Sequence, residues 1–251
     1  MSDSNPIMQR WDAFLKKITQ RYEDILTEAE EGFGALAEEN PDDSRPLLNA
    51  VNAIQMRLIG LEGKIDDTMS EKISESLSGA ALDEAENMME DLRLALREKW
   101  EALRVKTIAD FYRTMSQKAQ SQLQADRDCT QCGGNFTIPV LKRPTSVKCE
   151  YCGAVNQVTP NALVAHYFAM APTAFGEEAA AEKRFAIERL ESGANRGNRS
   201  PTRAELEKLE AMEQDCWESY VREMEKISPL SAEDRARFIE SRMQVWRHSH
   251  R

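Results

Sequence analysis

From Leu47 to Ile138 the chain contains no proline, and that interval is rich in Glu, Ala, Leu, Lys and Arg. Proline costs about 3 kcal/mol inside a helix, so a long interval that avoids it and is built from strong helix formers is predicted to be helical. Breakers are scarce throughout: 11 Gly and 9 Pro in 251 residues, where average usage gives roughly 30.

The apolar spacing agrees with helix. Ile7, Trp11, Phe14, Ile18, Tyr22, Ile25 and Ala29 recur at steps of three and four, which lays one stripe along a helix face. Its start is expected at an N-cap on Ser4 or Asn5 with Pro6 in the first turn, and it is expected to fade through Gly32 and Gly34 into a turn at Asn40–Ser44. A second stripe runs Leu47, Val51, Ile54, Leu58, Leu61, Ile65, Met69, Ile73, Leu77. Beyond Leu61 it takes only steps of four, so its apolar face should drift around the helix. Gly60 and Gly63 inside it imply either a close helix neighbour or a bend. After Gly79 a third stripe runs from Leu82 to Leu123, a helix of about 45 residues and roughly 65 Å. Met88, Met89 and Met115 read as packing residues. Stripes this long must bury against one another or against a partner. The predicted fold is therefore mostly α: an elongated antiparallel helical bundle or coiled coil over residues 1–126.

A different signal follows. Cys129-Thr-Gln-Cys132-Gly133 and Cys149-Glu-Tyr-Cys152-Gly153 are separated by 16 residues between Cys132 and Cys149. Two C-x2-C pairs at this distance have the spacing of a four-thiolate zinc site, and the glycine after each second cysteine lets the backbone turn there. Short strands are expected around Phe136–Leu141, Ser146–Lys148 and Val155–Val158, where β-branched residues partly alternate. Disulfides do not suit a reducing compartment. A thioredoxin-like redox pair would need a βαβ setting that the pattern lacks, and the paired spacing fits zinc better than an iron–sulfur centre.

Residues 127–158 resemble the zinc-ribbon family, in which two such cysteine turns are joined by a small antiparallel sheet. The resemblance implies that Cys129, Cys132, Cys149 and Cys152 are the ligands of one Zn2+. A ribbon this small has little core, so the metal would stabilise it by about 10–16 kcal/mol. Four thiolates fill the shell and leave no position for the activated water of zinc catalysis.

Residues 159–251 read as a C-terminal helical region. A helix is expected over 160–192 with a kink or break at Pro172, then a basic turn-rich linker from Gly193 to Pro201. Thr202-x-x-Glu205 is a capping box for the next helix, and Ser231 caps the last. From Arg235 to Arg251 there are five Arg and one acid. Cations at a helix C-terminus meet its dipole, with an anionic-partner surface as the alternative reading. His166 reads as an ordinary helix histidine, His248 and His250 as a poor metal site on a frayed end, and Cys216 as packed or semi-exposed.

The formal net charge is −10, and residues 1–126 carry it, with 15 Lys/Arg against 25 Asp/Glu. The first residues lack the order of a secretory signal and no apolar run is long enough to span a membrane. A cytoplasmic protein without membrane association is expected. No phosphate-cradling Gly-rich loop, G-x-S-x-G or H-E-x-x-H is present, so the favoured reading is a non-enzymatic scaffold or adaptor whose zinc ribbon and helical arms mediate protein–protein interaction. Homo-oligomerisation is equally permitted by the long seams. The alternative is a nucleic-acid-associated ribbon acting within a transcription or other nucleic-acid complex. Lys142, Arg143 and Lys148 would be its cations and Phe136 or Tyr151 its stacking platform, although four thiolates around one Zn2+ leave such a ribbon close to neutral. These five residues are the candidate partner-binding set in either case.

Overall fold

The computed structural model describes residues 5–195 and 201–250. The protein is mostly helical, with two small antiparallel sheets in the middle of the chain. In order, the elements are α1 (Pro6–Glu39), α2 (Arg45–Thr68), a π turn (Met69–Ile73), α3 (Ala80–Ser121), β1 (Ala125–Asp128), β2 (Asn135–Ile138), β3 (Thr145–Lys148), β4 (Val155–Val158), α4 (Ala162–Asn195), α5 (Arg203–Glu225) and α6 (Ala232–Ser249).

The first three stripes fold up-down-up. Trp11 Nε1 donates to the Ala85 carbonyl at 3.1 Å, Glu23 pairs with Lys99 and Asp42 with Lys118, so α1 and α3 rise together. Arg57–Glu28 and Arg93–Asp66 hold α2 antiparallel to both. Asn5 caps α1, accepting from the Ile7 amide at 2.9 Å; Ser4, the other candidate, lies outside the described residues. Contrary to expectation, α1 runs through Gly32 and Gly34 to Glu39. The predicted drift of the second stripe does not occur. Steps of four would rotate the apolar face by about 40° each time in a regular α-helix. The π turn, closed by the Ser74 amide on the Met69 carbonyl at 2.9 Å, absorbs the extra residue, and Leu61, Ile65, Met69, Ile73 and Leu77 all remain buried. Of the two expectations at Gly60 and Gly63, a close neighbour or a bend, the close neighbour is absent: no atom lies within 4 Å of where a Cβ would stand on either.

The bundle does not end with α3. Helix α4 packs antiparallel along it: Tyr167 donates to Ser116 at 2.9 Å, Arg104 pairs with Glu177 and Arg189 with Glu98. Tyr167, Ala171 and Ala174 belong to the same buried cluster as Trp11, Ile65, Trp100 and Met115. Pro172 sits inside α4, which continues unbroken through it, so of the expected kink or break the break does not occur. A local cost of about 3 kcal/mol is offset by burial on either side of it, at Ala171 and Ala174. His166 is also more than a helix histidine. Its Nε2 is 2.8 Å from the Ser44 hydroxyl and 3.2 Å from the Tyr112 hydroxyl, a polar pin between α2, α3 and α4.

Helix α5 runs back along α4 with Cys216 fully buried on the Ala180 carbonyl. Gly176 makes the approach feasible, since a Cβ there would stand 2.8 Å from the Tyr220 ring. The capping box at Thr202 and Glu205 forms as predicted, and Ser231 caps α6 through the Asp234 amide. The arginines of α6 meet the acids of α5: Arg247 pairs with Glu210 and Arg235 with Glu225. His250 stacks on Trp246 at 4.3 Å and lies 3.1 Å from Glu191, so this residue of the histidine tail is tied to α4. Of the predicted linker, Gly193–Asn195 are the last residues of α4 and 196–200 lie outside the described residues. No helix among the described residues is long and apolar enough to cross a membrane.

Because α4 covers the face of α3 that carries Phe111, Tyr112 and Met115, a chain cut after residue 126 should expose that face. Such a fragment is expected to bind a hydrophobic dye and to melt without a sharp transition. A cooperative, dye-silent fragment would show that the first three helices are self-sufficient.

Candidate metal centre

The two C-x2-C pairs lie in two copies of one local structure, twenty residues apart. β1 and β2 form one hairpin, with Ala125 opposite Ile138 and Asp128 opposite Asn135; β3 and β4 form the other, with Thr145 opposite Val158 and Lys148 opposite Val155. Each six-residue loop closes identically. In the first, the Cys129 amide donates to Gly134 and the Gly133 amide to Cys129, both at 2.9 Å. In the second, Cys149 donates to Ala154 at 2.8 Å and Gly153 to Cys149 at 2.9 Å. The turns require φ of +72° at Gly133 and +77° at Gly153, a region that glycine enters without a Cβ penalty. The sheets are separate two-stranded units, where a single small sheet was expected, and the first strand begins at Ala125, ahead of the predicted segment.

The hairpins face each other through their cysteines. The four Sγ atoms lie within 4.8 Å of one another, with Cys129–Cys152 at 3.6 Å and Cys132–Cys149 at 3.7 Å. A disulfide needs about 2.05 Å, so these are free thiols, while a tetrahedron of sulfurs at about 2.3 Å from a central ion has edges of about 3.8 Å. The cluster is compatible with metal binding. Cys129 and Cys149 are buried and Cys132 and Cys152 are exposed, so each hairpin contributes one sulfur from each side.

The electrostatics of the donor set are compatible with a bound cation. Backbone N–H groups of Gln131 and Cys132 hold the Cys129 thiol down at about 6. At Cys152 the Ala154 N–H acts in the same direction, but the sulfur of Cys132, burial, and the sulfurs of Cys129 and Cys149 outweigh it and push that thiol up to about 12. Neighbouring thiolates repel at this range, and a divalent ion at the centre removes the conflict.

One residue that the sequence did not single out completes the arrangement. Asn156 on β4 is 4% exposed. Its side-chain oxygen accepts from the Thr130 amide at 2.9 Å and the Thr130 hydroxyl at 3.0 Å, and its Nδ2 donates to Cys129 Sγ at 3.5 Å. It thus fastens the first cysteine turn to the second hairpin. A trace exists in the twenty-residue repeat, where Asn156 stands in place of Phe136.

The candidate partner-binding residues are dispersed. Phe136 is half-buried and packs with Val147 against Ala125, Ile138, Leu141 and Val158. Tyr151 is 76% exposed, its ring lying across Gly134. Lys142 Nζ sits 4.7 Å above the Phe168 ring of α4. Arg143 is exposed beside it, and Lys148 is exposed on β3. The hairpin module enters and leaves the helical body at one place, with the Leu141 amide on the Leu123 carbonyl at 2.8 Å and Asn161 donating to Gln122 at 2.6 Å.

Comparison with protein-family models, with curated proteins and with solved structures finds no match for this chain.

Asn156→Ala removes the donor to Cys129 and the anchor of Thr130 together. Its affinity for zinc, measured by competition with a chromogenic chelator, is expected to fall about 10- to 100-fold, and unchanged affinity would show that Asn156 does not hold the cysteine turn.

Proposed function

We propose that the protein is a non-catalytic adaptor in which a zinc ribbon, closed by Cys129, Cys132, Cys149 and Cys152, fixes a rigid head on a helical arm, and that head and arm bind protein partners. The observation that carries this reading is the sulfur cluster. Four cysteine sulfurs within 4.8 Å fill a tetrahedral shell, and a filled thiolate shell suits a structural ion, because zinc catalysis needs an open position. Zinc is favoured over softer or redox-active ions by the paired C-x2-C spacing and by the spread of the sulfurs. Thiols of this kind suit a reducing compartment such as the cytoplasm. The stripes of α1–α3 would act as a bundle with coiled-coil-like seams, a spacer that carries the head.

The surface supports a binding role. Tyr151, Val155 and Val140 on the hairpin module are 76%, 64% and 56% exposed, and Met56 and Ile59 on α2 are 67% and 50% exposed. Side chains this exposed add little to the buried core and can meet a partner at little cost in stability. Two facts weigh against the nucleic-acid alternative: Phe136 packs inward, and a net charge of −10 opposes the phosphate contacts that supply most nonspecific affinity.

Purified chain should contain one zinc per molecule by elemental analysis. Cys149→Ser should lose that zinc and release the partner retained by the wild type from native extract, while most of the helical far-ultraviolet circular dichroism persists. Zinc-free wild type with ordered hairpins, or partner capture indifferent to the substitution, would contradict the reading.

A further inference from the structure

Two adjoining depressions, of 750 Å3 and 530 Å3, meet on the outer face of α4, where they share Phe168, Ala169 and Ser228. Together they form one groove. Its floor is α4, one wall is the connection between the two hairpins, and the other is the start of α6 with the turn that precedes it. The floor and walls are apolar: Phe168, Pro172, Leu230 and Phe238, with Met224 beneath.

The rims are basic at both ends. Lys142 and Arg143 stand at the hairpin end, and Arg237 and Arg242 at the α6 end. Asp234, the acid in the lining, is already engaged by Ser231 and Arg237. Lys142 and Arg242 have aromatic faces as neighbours, and together with Arg143 they meet no carboxylate among the described residues. A third depression, of 600 Å3 on the α3 side of α4, differs: its acids Glu178 and Glu223 are neutralised by Arg113 and Lys226. The groove is thus a largely apolar channel edged by Lys142, Arg143 and Arg242, which have no ion pair among the described residues, on a chain whose net charge is −10.

We infer that this groove is the docking site for an acidic segment of a partner protein, with apolar anchors seated on Ala169, Pro172 and Leu230 and carboxylates against Lys142, Arg143 and Arg242. The inference rests on the adaptor reading, to which it adds the place and chemistry of recognition. Volumes of this size accept several side chains, and apolar anchors flanked by complementary charge are how short segments gain both affinity and register. A nucleic acid fits less well. Single strands bind through open aromatic faces, but the Phe168 face is taken by Lys142, and Phe238 is stacked on Tyr220 at 5.8 Å. The groove also gives the hairpin module a second role, since its connecting loop supplies one wall.

The test uses the full, zinc-loaded chain and a fluorescein-labelled peptide of leucine and glutamate patterned as an amphipathic helix, followed by fluorescence anisotropy. Saturable binding is expected, weakened about tenfold or more in Arg143→Glu/Arg242→Glu. Lys64→Glu/Lys72→Glu, which changes charge equally at two exposed positions of α2 and the π turn outside the groove, should bind as the wild type does. Ala169→Trp fills the channel without altering charge and should also abolish binding, so the result does not hang on one variant's folding. No saturable binding, equal loss in both charge-reversal variants, or tighter binding of a control peptide with lysine in place of each glutamate, or of an oligouridylate, would overturn the inference. A native partner retained equally by the wild type and by Ala169→Trp would overturn the groove while leaving the adaptor reading in place.

Discussion

Four sulfurs drawn from two turns of the same design set the geometry at the centre of this molecule. The hairpin module buries only Ala125, Ile138, Leu141 and Val158 alongside Cys129, Cys149 and Asn156, too little apolar surface to hold four short strands by itself. Order there has to come from the cysteine cluster and its hydrogen bonds. The repeat makes this economical. One loop conformation, fixed by one glycine at positive φ, is used twice, and the two copies meet so that each contributes a buried and an exposed sulfur.

The helical body solves a different problem, that of covering long apolar stripes. α1, α2 and α4 all pack on α3 around one buried cluster, after which α5 and α6 continue the antiparallel order with a second buried cluster around Leu209, Cys216, Tyr220 and Val221. The hairpins sit where α3 hands over to α4, their entry and exit strapped together at Gln122 and Asn161. Any shift of α4 against α3 is therefore felt at the module, and Lys142 on Phe168 ties the far side of its connecting loop to the same helix. The hairpin module and the helical body are thus joined at both ends of the module and at its connecting loop.

Much of this was legible in the sequence, for identifiable reasons. The stripes were readable because a period between three and four is a property of the helix alone; the drift expected from the steps of four does not occur, because the π turn keeps Leu61, Ile65, Met69, Ile73 and Leu77 on the buried face. The caps at Asn5, Thr202 and Ser231 were readable because a side chain bonding its own backbone is a local event. The cysteine ligand candidates followed from spacing. What escaped depended on distant partners. Pro172 is tolerated because α4 is packed on both sides of it, and Ala125–Asp128 is a strand through pairing, its own residues having little β preference. Asn156 looked like any strand residue until the first cysteine turn was brought against it. His166 acquired partners only when Ser44 and Tyr112 arrived from other helices.

The most direct measurement is X-ray absorption at the zinc edge on the purified full-length chain. The account predicts a single shell of four sulfur neighbours at about 2.3 Å. Nitrogen or oxygen in the first shell, or an absence of bound zinc with the cysteines joined as disulfides, would contradict it.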